Sequence, residues 1–294
     1  MKYFRETLES VLGQTLPPDE VIVIDDGSTD GTPAFAESYG APVRVLHRTR
    51  QRQAANRNFG AQEATSEWVA FVDHDDVWAP NKLELQMAEL NRTQADLCYT
   101  GRILLNQRGD TFNLDRIVET PTPENLRPWL FKDVSFLASS VLMRRSTLLA
   151  SGGFDPSFKY AEDWDHWMRL FHSGCKFAFC PEPLLIYRNH TSNASTNNPL
   201  DVLNEVNQIY QAHMVPHLSP IRRILRHGYF WSRLEANAAR AMRASGDRRD
   251  LAMMARCIIH WPFEDWNRYK VILHMMYMHL RRLVQRPSSA APSA

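Results

Sequence analysis

The chain carries almost no net charge: 34 Lys and Arg against 33 Asp and Glu leave +1 at pH 7 across 294 residues. Neutralising a phosphate backbone needs a basic excess, so nucleic acid is excluded as the main partner. Cysteine is scarce as well. Cys98, Cys175, Cys180 and Cys257 show no Cys-x-x-Cys spacing and stand among apolar neighbours, which predicts free buried thiols in a reducing compartment, with no disulfide framework. Long apolar runs are missing too: none reaches the about 18 residues of a membrane-spanning helix. The first residues carry no signal-peptide pattern, so a cytoplasmic location is expected. A chain of this length buries one large core with an appendage, or two modest domains.

What the sequence does have is acid in tight clusters. Trp68-Val69-Ala70 leads into Phe71-Val72-Asp73-His74-Asp75-Asp76-Val77-Trp78. The apolar run 68–72 predicts a fully buried strand, and carboxylates follow at once. Carboxylates at that density repel unless they face a cation or ligand hydroxyls, as at the carboxyl end of a strand in an open α/β sheet. The plainer alternative is an acidic turn capping the helix that begins near Pro80. A second apolar run, 21–24, ends in Asp25-Asp26-Gly27-Ser28. Residues 26–37 match the spacing of an EF-hand calcium loop, but the run before them is β-branched and Pro33 takes the loop's eighth place, so calcium is set aside.

Around these clusters the pattern alternates. Phe4, Leu8, Val11 and Leu12 predict a helix stopped by Gly13. Thr32-Pro33 opens another, 43–46 reads as a strand and 54–64 as a helix. Strands alternating with such helices predict a parallel, doubly wound sheet. Further on, Leu83, Met87 and Leu90 share one helical face, 97–99 is a strand, and 101–106 a strand entering the turn Gln107-Arg108-Gly109-Asp110. Residues 113–128 are expected to be irregular and to lie near the site. After a strand at 139–143 comes the loop Gly152-Gly153-Phe154-Asp155, then a helix marked by Trp164, Trp167, Leu170 and Phe171. Glu162 and Asp163 fall in that helix's first turn, where the helix dipole favours ionised carboxylates; Asp163 also reads as a plain N-cap. Strands at 177–179 and 184–187, separated by Pro181 and Pro183, lead to a polar, basic loop, 188–195, suited to covering an anionic ligand. Residues 1–198 are expected to form the main domain and 199–286 a helical region, with a hairpin at 236–244 and 251–259. Residues 269–286 form an amphipathic, basic stretch that packs on its own protein or touches an anionic membrane face, and 287–294 a disordered tail.

Several of these motifs, in this order, resemble family 2 glycosyltransferases. Glu6-Thr7-Leu8-Glu9-Ser10-Val11-Leu12-Gly13-Gln14-Thr15 looks like the family's first helix, and Asp25-Asp26-Gly27-Ser28-Thr29-Asp30 like the turn after its second strand. Ala54-Ala55-Asn56-Arg57-Asn58-Phe59-Gly60 is similar to its Ala-Arg-Asn-x-Gly helix, and residues 71–78 to its Asp-x-Asp strand end. Residues 152–158 look like its acceptor loop, and Glu162-Asp163-Trp164 like its Glu-Asp catalytic motif. The resemblance, over roughly residues 3–195, implies a GT-A-type, Rossmann-like mixed α/β sheet with a helical C-terminal extension. The implied reaction is an inverting transfer from a nucleotide-diphospho-sugar donor to a glycan or lipid-linked acceptor, in cell-surface polysaccharide or glycan synthesis, with Mn²⁺ or Mg²⁺.

By that resemblance Asp26 and Asp73 hold the nucleotide's base and ribose, and Arg57 lies near the base or phosphates. Asp75 ligates the metal, with His190 as its companion, and Asp163 is the general base flanked by the substrate-binding Glu162 and Trp164. Arg188 and His190 resemble a mobile loop that closes on the diphosphate. One departure is expected to matter. Family members begin with an apolar strand and a Thr-Tyr-Asn-type turn, absent before Tyr3; this implies a gap beside the 21–24 strand and a damaged nucleotide pocket, or a start assigned too late. Two alternatives follow: an inactive sugar-nucleotide-binding or partner-binding module that keeps the fold, and a nucleotidyltransferase on a similar sheet.

Overall fold

The computed structural model describes residues 3–108, 111–130, 136–190 and 198–218, together with 235, 236, 238, 239, 242, 249, 250, 252, 253 and 256. They belong to two compact units, Met1–Ser195 with Asn204–Pro216, and Thr196–Leu203 with His217–Ala294. In the first unit the helices are α1 (Phe4–Leu12), α2 (Thr32–Glu37), α3 (Gln53–Glu63), α4 (Lys82–Thr93), α5 (Leu126–Leu130), α6 (Arg145–Ala150) and α7 (Glu162–His172). The strands are β1 (Val21–Asp25), β2 (Val43–His47), β3 (Trp68–Ala70), β4 (Val77–Trp78), β5 (Leu97–Arg108), β6 (Thr111–Val118), β7 (Val141–Arg144) and β8 (Phe177–Asn189). α8 (Pro199–Ile209) follows, and its residues from Asn204 onward belong to the first unit.

These strands form two sheets. β1 and β2 pair in parallel, from Val21 opposite Val43 to Asp25 opposite His47, and Leu8, Ala36 and Val43 bury their apolar side. The other sheet has the order β3-β7-β5-β8-β4, with β6 paired to β5. The alternation of strands and helices predicts parallel pairing throughout, yet only β1–β2 and β5–β8 are parallel; β7 runs antiparallel to both β3 and β5. Among the described residues no strand joins β1 to β3.

Three local expectations change. The run 68–72 is a strand only at Trp68–Ala70, and only Val69 in it is buried. The strand pairs with β7 alone, and beyond it the Asp73 N–H leaves the ladder to donate to Ser139 Oγ at 3.0 Å. Residues 113–118, expected to be irregular, lie in β6; its exposed side chains, Leu114 at 67% among them, leave no alternation to read. Strands 177–179 and 184–187 are one strand, β8. The ladder shifts register between Thr100 and Arg102, and a Cβ at Gly101 would stand 3.4 Å from Pro183 Cα, so both prolines are accommodated at an irregular step.

One core packs α4 on the large sheet through Trp78, Leu83, Leu90, Cys98, Leu142, Cys180 and Leu185. Lys82 is fully buried inside it, its Nζ donating to Gln86 Oε1 at 2.7 Å and standing 4.0 Å from the Trp78 ring centroid. A second, aromatic core carries α7: Tyr99 stacks on Phe136 at 4.2 Å, Phe136 meets Trp167 at 5.2 Å, and Trp167 meets Phe154 at 5.9 Å. Cys98, Cys175 and Cys180 are free thiols. In the second unit the described residues between 235 and 256 are mostly helical, and Arg256 pairs with the buried Glu235 at 3.0 Å. The loop at 191–195, Cys257, the amphipathic stretch 269–286 and the tail 287–294 lie outside the described residues. Among those described, no helix is long and apolar enough to cross a membrane.

Candidate active site

The site is assembled at the carboxyl ends of β1 and β3, where the chain turns into loops that expose backbone N–H groups and acids. β1 ends in Asp25, whose Oδ1 accepts the Ser28 N–H at 3.0 Å and so shapes the turn carrying Asp26. His47, opposite Asp25 on β2, lies between two acids, 3.2 Å from Asp25 and 3.1 Å from Glu37, and the hydrogen bonds its protonated ring donates to both raise its pKa. Asp26 accepts the Gln51 N–H at 2.7 Å, which fixes the approach to α3. α3 then supplies Gln53 and Arg57, one turn apart on the same face. Gln53 Nε2 and Arg57 Nη2 both donate to Asp73 Oδ1 at 2.7 Å.

Arg57 also reaches α7, donating from Nη1 to Glu162 Oε1 at 2.7 Å. Its guanidinium is nearly enclosed and lies 5.4 Å from the Phe154 ring centroid. The charge balance here is uneven. Asp73, Glu162 and Asp163 surround one cation, and Glu162 Oε2 has no hydrogen-bond partner among the described residues. Burial raises the Glu162 pKa despite Arg57, and burial together with the Glu162 charge pushes Asp163 up to about 7. Asp163 is not the N-cap of α7: that position is Ala161, and Asp163 Oδ1 accepts the Trp164 N–H at 2.7 Å. A partly buried carboxylate titrating near neutrality is suited to accept a proton.

The second acidic group lies at the end of β8. Asp75 Oδ2 is 2.9 Å from His190 Nε2, and Arg188 Nη1 donates to the Asp75 carbonyl at 3.3 Å. Both basic residues are held by α1 and its cap: His190 stacks on Tyr3 at 5.1 Å, and Arg188 pairs with Glu6. Arg188 therefore sits on a strand, not in the loop expected at 188–195. Among the described residues no cluster of three or more His, Cys, Asp or Glu could hold a metal ion. Of the pair Asp75 and His190, Asp75 offers a carboxylate of the kind Mg²⁺ takes beside phosphate oxygens and water, and His190 an imidazole nitrogen, the softer type of ligand, in hydrogen-bond contact with Asp75.

The structure thus brings Arg57, Asp73, Glu162 and Asp163 together, ties Asp26 to Gln51 at the approach to α3, and places Arg188 and His190 on Asp75, two residues on from Asp73. Trp164 goes elsewhere. It is 1% exposed and its indole N–H donates to the Leu130 carbonyl at 2.9 Å, so it is a core residue and presents no surface to a substrate. Three contributors went unread in the sequence. Gln53 stands beside a motif whose arginine draws the eye. Asn58 exchanges hydrogen bonds with Phe154, its Nδ2 donating to the carbonyl at 2.7 Å and its Oδ1 accepting the N–H at 2.8 Å, and so ties the Gly152-Gly153 loop to α3. Asp76 is 1% exposed, and burial followed by the Asp73 charge raises its pKa well above the carboxylate range.

Residues 1–151, just over half the chain, match the sequence profile of Glycosyl transferase family 2. The chain belongs to that family. An uncharacterized glycosyltransferase of Rickettsia prowazekii is 31% identical over 212 residues, covering 71% of this chain and 66% of that protein. A putative teichuronic acid biosynthesis glycosyltransferase of Bacillus subtilis, TuaG, is 28% identical over 200 residues, covering 66% of this chain and 77% of its own. The chain spans just under two thirds of the Rickettsia relative. Among solved structures, S. aureus TarS 1-349 in complex with UDP-GlcNAc superposes with a TM-score of 0.54 at 18% identity, covering 88% of this chain and 86% of that one. At that identity the likeness shows the fold, which is the GT-A fold of this family of glycosyltransferases.

Proposed function

We propose that this family 2 member transfers a sugar from a nucleotide-diphosphate donor to an acceptor hydroxyl, with inversion at the anomeric carbon and a divalent cation, Mg²⁺ or Mn²⁺, on the diphosphate. The observation that carries the reading is the joining of Asp73 and Glu162 through Arg57, beside an Asp163 poised near neutral pH. TarS's complex with UDP-GlcNAc supports a nucleotide-sugar donor, and TuaG, named a putative teichuronic acid biosynthesis glycosyltransferase, supports a role in polysaccharide synthesis, for which we propose a cell-surface glycan or lipid-linked acceptor.

In this reading Asp26 and Asp73 hold the base and ribose, and Arg57 orients Asp73 while keeping positive charge beside the departing diphosphate. Asp75 and His190 would hold the cation, which when bound would supply neutralising charge to the leaving group. Arg188 adds a fixed positive charge from the end of β8. Asp163, ionised, takes the acceptor's proton as its oxygen attacks, and a single displacement inverts the anomeric centre. Residues 269–286 suit peripheral contact with a membrane, which would place the reaction at its cytoplasmic face.

The test uses UDP-GlcNAc and Mn²⁺ with the full chain. Calorimetric binding by wild type and by Asp163→Asn, with sugar release only by wild type, is the expected result. No binding of UDP-GlcNAc in the presence of Mn²⁺ removes that sugar nucleotide as donor, no binding across a panel of nucleotide-diphosphate sugars refutes the donor class, and equal turnover by the variant removes Asp163 from the reaction. The separation of β1–β2 from the larger sheet favours a second reading, a module that binds sugar nucleotides without turning them over. Tight binding with no release by wild type would support it.

A further inference from the structure

Helix α7 begins without a cap of its own: its N-cap residue, Ala161, has no side chain that can accept a hydrogen bond. That role is taken by α8. The Glu205 carboxylate, buried, accepts three successive backbone N–H groups, those of Lys159 on Oε1 at 2.7 Å and of Tyr160 and Ala161 on Oε2 at 2.9 and 3.1 Å. Successive N–H groups converging on one carboxylate form an anion nest, which fixes the backbone of the donating segment and complements the helix dipole. That segment runs directly into Glu162 and Asp163.

The body of α7 is anchored by other means. Trp167 Nε1 donates to the Phe136 carbonyl at 3.2 Å, and Asp165 is bound by His213 at 2.8 Å and Arg169 at 2.8 Å. Arg169 in turn donates to the Ser151 carbonyl at 2.7 Å. In the first turn these bonds on Asp165 are joined by Arg57 on the Glu162 side chain and by the Trp164 indole on the Leu130 carbonyl; all of them hold side chains, whereas Glu205 holds the backbone N–H groups that lead into the turn where Asp163 sits.

The geometry points to Glu205 as a positioning residue for the general base: by holding the N–H groups of residues 159–161 it fixes the first turn of α7, and with it the depth at which Asp163 is enclosed against Glu162 and Arg57. This rests on the reading of Asp163 as the base. Both residues lie beyond the 1–151 matched by the family profile. Loss of the Glu205 charge loosens the turn and admits water to Asp163. The groups facing Asp163 are Glu162 on its own helix, Arg57 on α3 and Asp73 after β3; all remain in a Glu205 variant, so a change in Asp163 reports its enclosure and not a lost charge partner.

The test combines amide hydrogen exchange with carboxyl NMR on the full chain, using ¹³C-labelled aspartate and the Asp163→Asn variant to assign the Asp163 signal. In wild type the amides of residues 159–161 are expected to be protected and Asp163 to titrate near 7. In Glu205→Gln those amides exchange about tenfold faster or more, and the Asp163 midpoint falls by about one pH unit or more toward the ordinary carboxylate value. A residue that merely stabilised the helix would change the melting temperature and leave that midpoint where it was. An unmoved midpoint in a folded Glu205→Gln protein overturns the inference, and so does free exchange of the 159–161 amides in wild type, a measurement that needs no variant. Failure of the base assignment looks different: Asp163→Asn would keep turnover while the 159–161 amides remained protected.

Discussion

Arg57 and Glu162 meet at 2.7 Å across 105 positions of sequence, and the same guanidinium holds Asp73 at an equal distance. The helix that follows β2 is thereby bonded to the helix that carries Asp163, with the acidic strand end between them. Removing the shared cation leaves Glu162 buried and uncompensated. Arg57→Met is expected to destabilise by about 3–5 kcal/mol, the cost of breaking a buried pair from one side. Urea unfolding checks this, and adding Glu162→Gln to the same chain should recover part of the loss; full wild-type stability in Arg57→Met alone would show the pair to be idle.

Asp163 links proton binding to folding. Its pKa is raised from 3.8 to about 7 in the fold, so between about 4 and 7 the native state holds a proton that the unfolded chain has released. Stability therefore falls as pH rises through that window and is flat above it. Turnover runs the other way, rising through about 7 as the base ionises. Asp163→Asn should flatten the stability profile in that window while abolishing turnover; thermal melts across pH 4–8 give the first, and a pH–rate profile of wild type gives the second.

Lys82 has the opposite sign. Burial lowers its pKa from 10.5 to about 7, so between those values the unfolded chain binds a proton that the native state does not, and stability rises with pH. Lys82→Met removes this dependence. Folding with the amine neutral costs about 1.4 kcal/mol for each pH unit below the ordinary lysine pKa, and losing the bond to Gln86 gives back about 1–3 kcal/mol. A net gain of roughly 2 kcal/mol at pH 7.5 is expected, read from urea unfolding, shrinking toward pH 10.

Gly153 has φ of +69°, and a Cβ there would collide with the Asn58 amide that binds Phe154. Gly153→Ala faces both backbone strain and the loss of that tie. A destabilisation of about 1–3 kcal/mol is expected in thermal melts, with weaker acceptor use and little change in UDP-GlcNAc binding. Gly152, also at positive φ but with open space around it, should be milder.

Metal removal separates Asp75 from its neighbours. With Mn²⁺ replaced by EDTA, UDP-GlcNAc binding should weaken by about tenfold or more, as expected when a cation bridging protein and diphosphate is withdrawn. Asp75→Asn should bind equally poorly with and without Mn²⁺. A Mn²⁺ response that survives in Asp75→Asn would place the cation elsewhere.

Much was legible from sequence because it rests on local chemistry. Apolar runs ending in acids located β1 and the β3 end, and helical spacing located α1, α3, α4 and α7 with Glu162 and Asp163 in the first turn. Tertiary structure decided the remainder. Residues 113–118 became a strand because β5 offered an edge to pair with, and Pro181 and Pro183 stayed within β8 because the ladder steps past them at Gly101. Trp164 went to the core because the Leu130 carbonyl lies within its reach. The Asp163 pKa and its support by Glu205 depend on distances between segments dozens of residues apart. Spacing along a chain specifies which residues share a face; only packing fixes how deeply a charge is buried and which cation it meets.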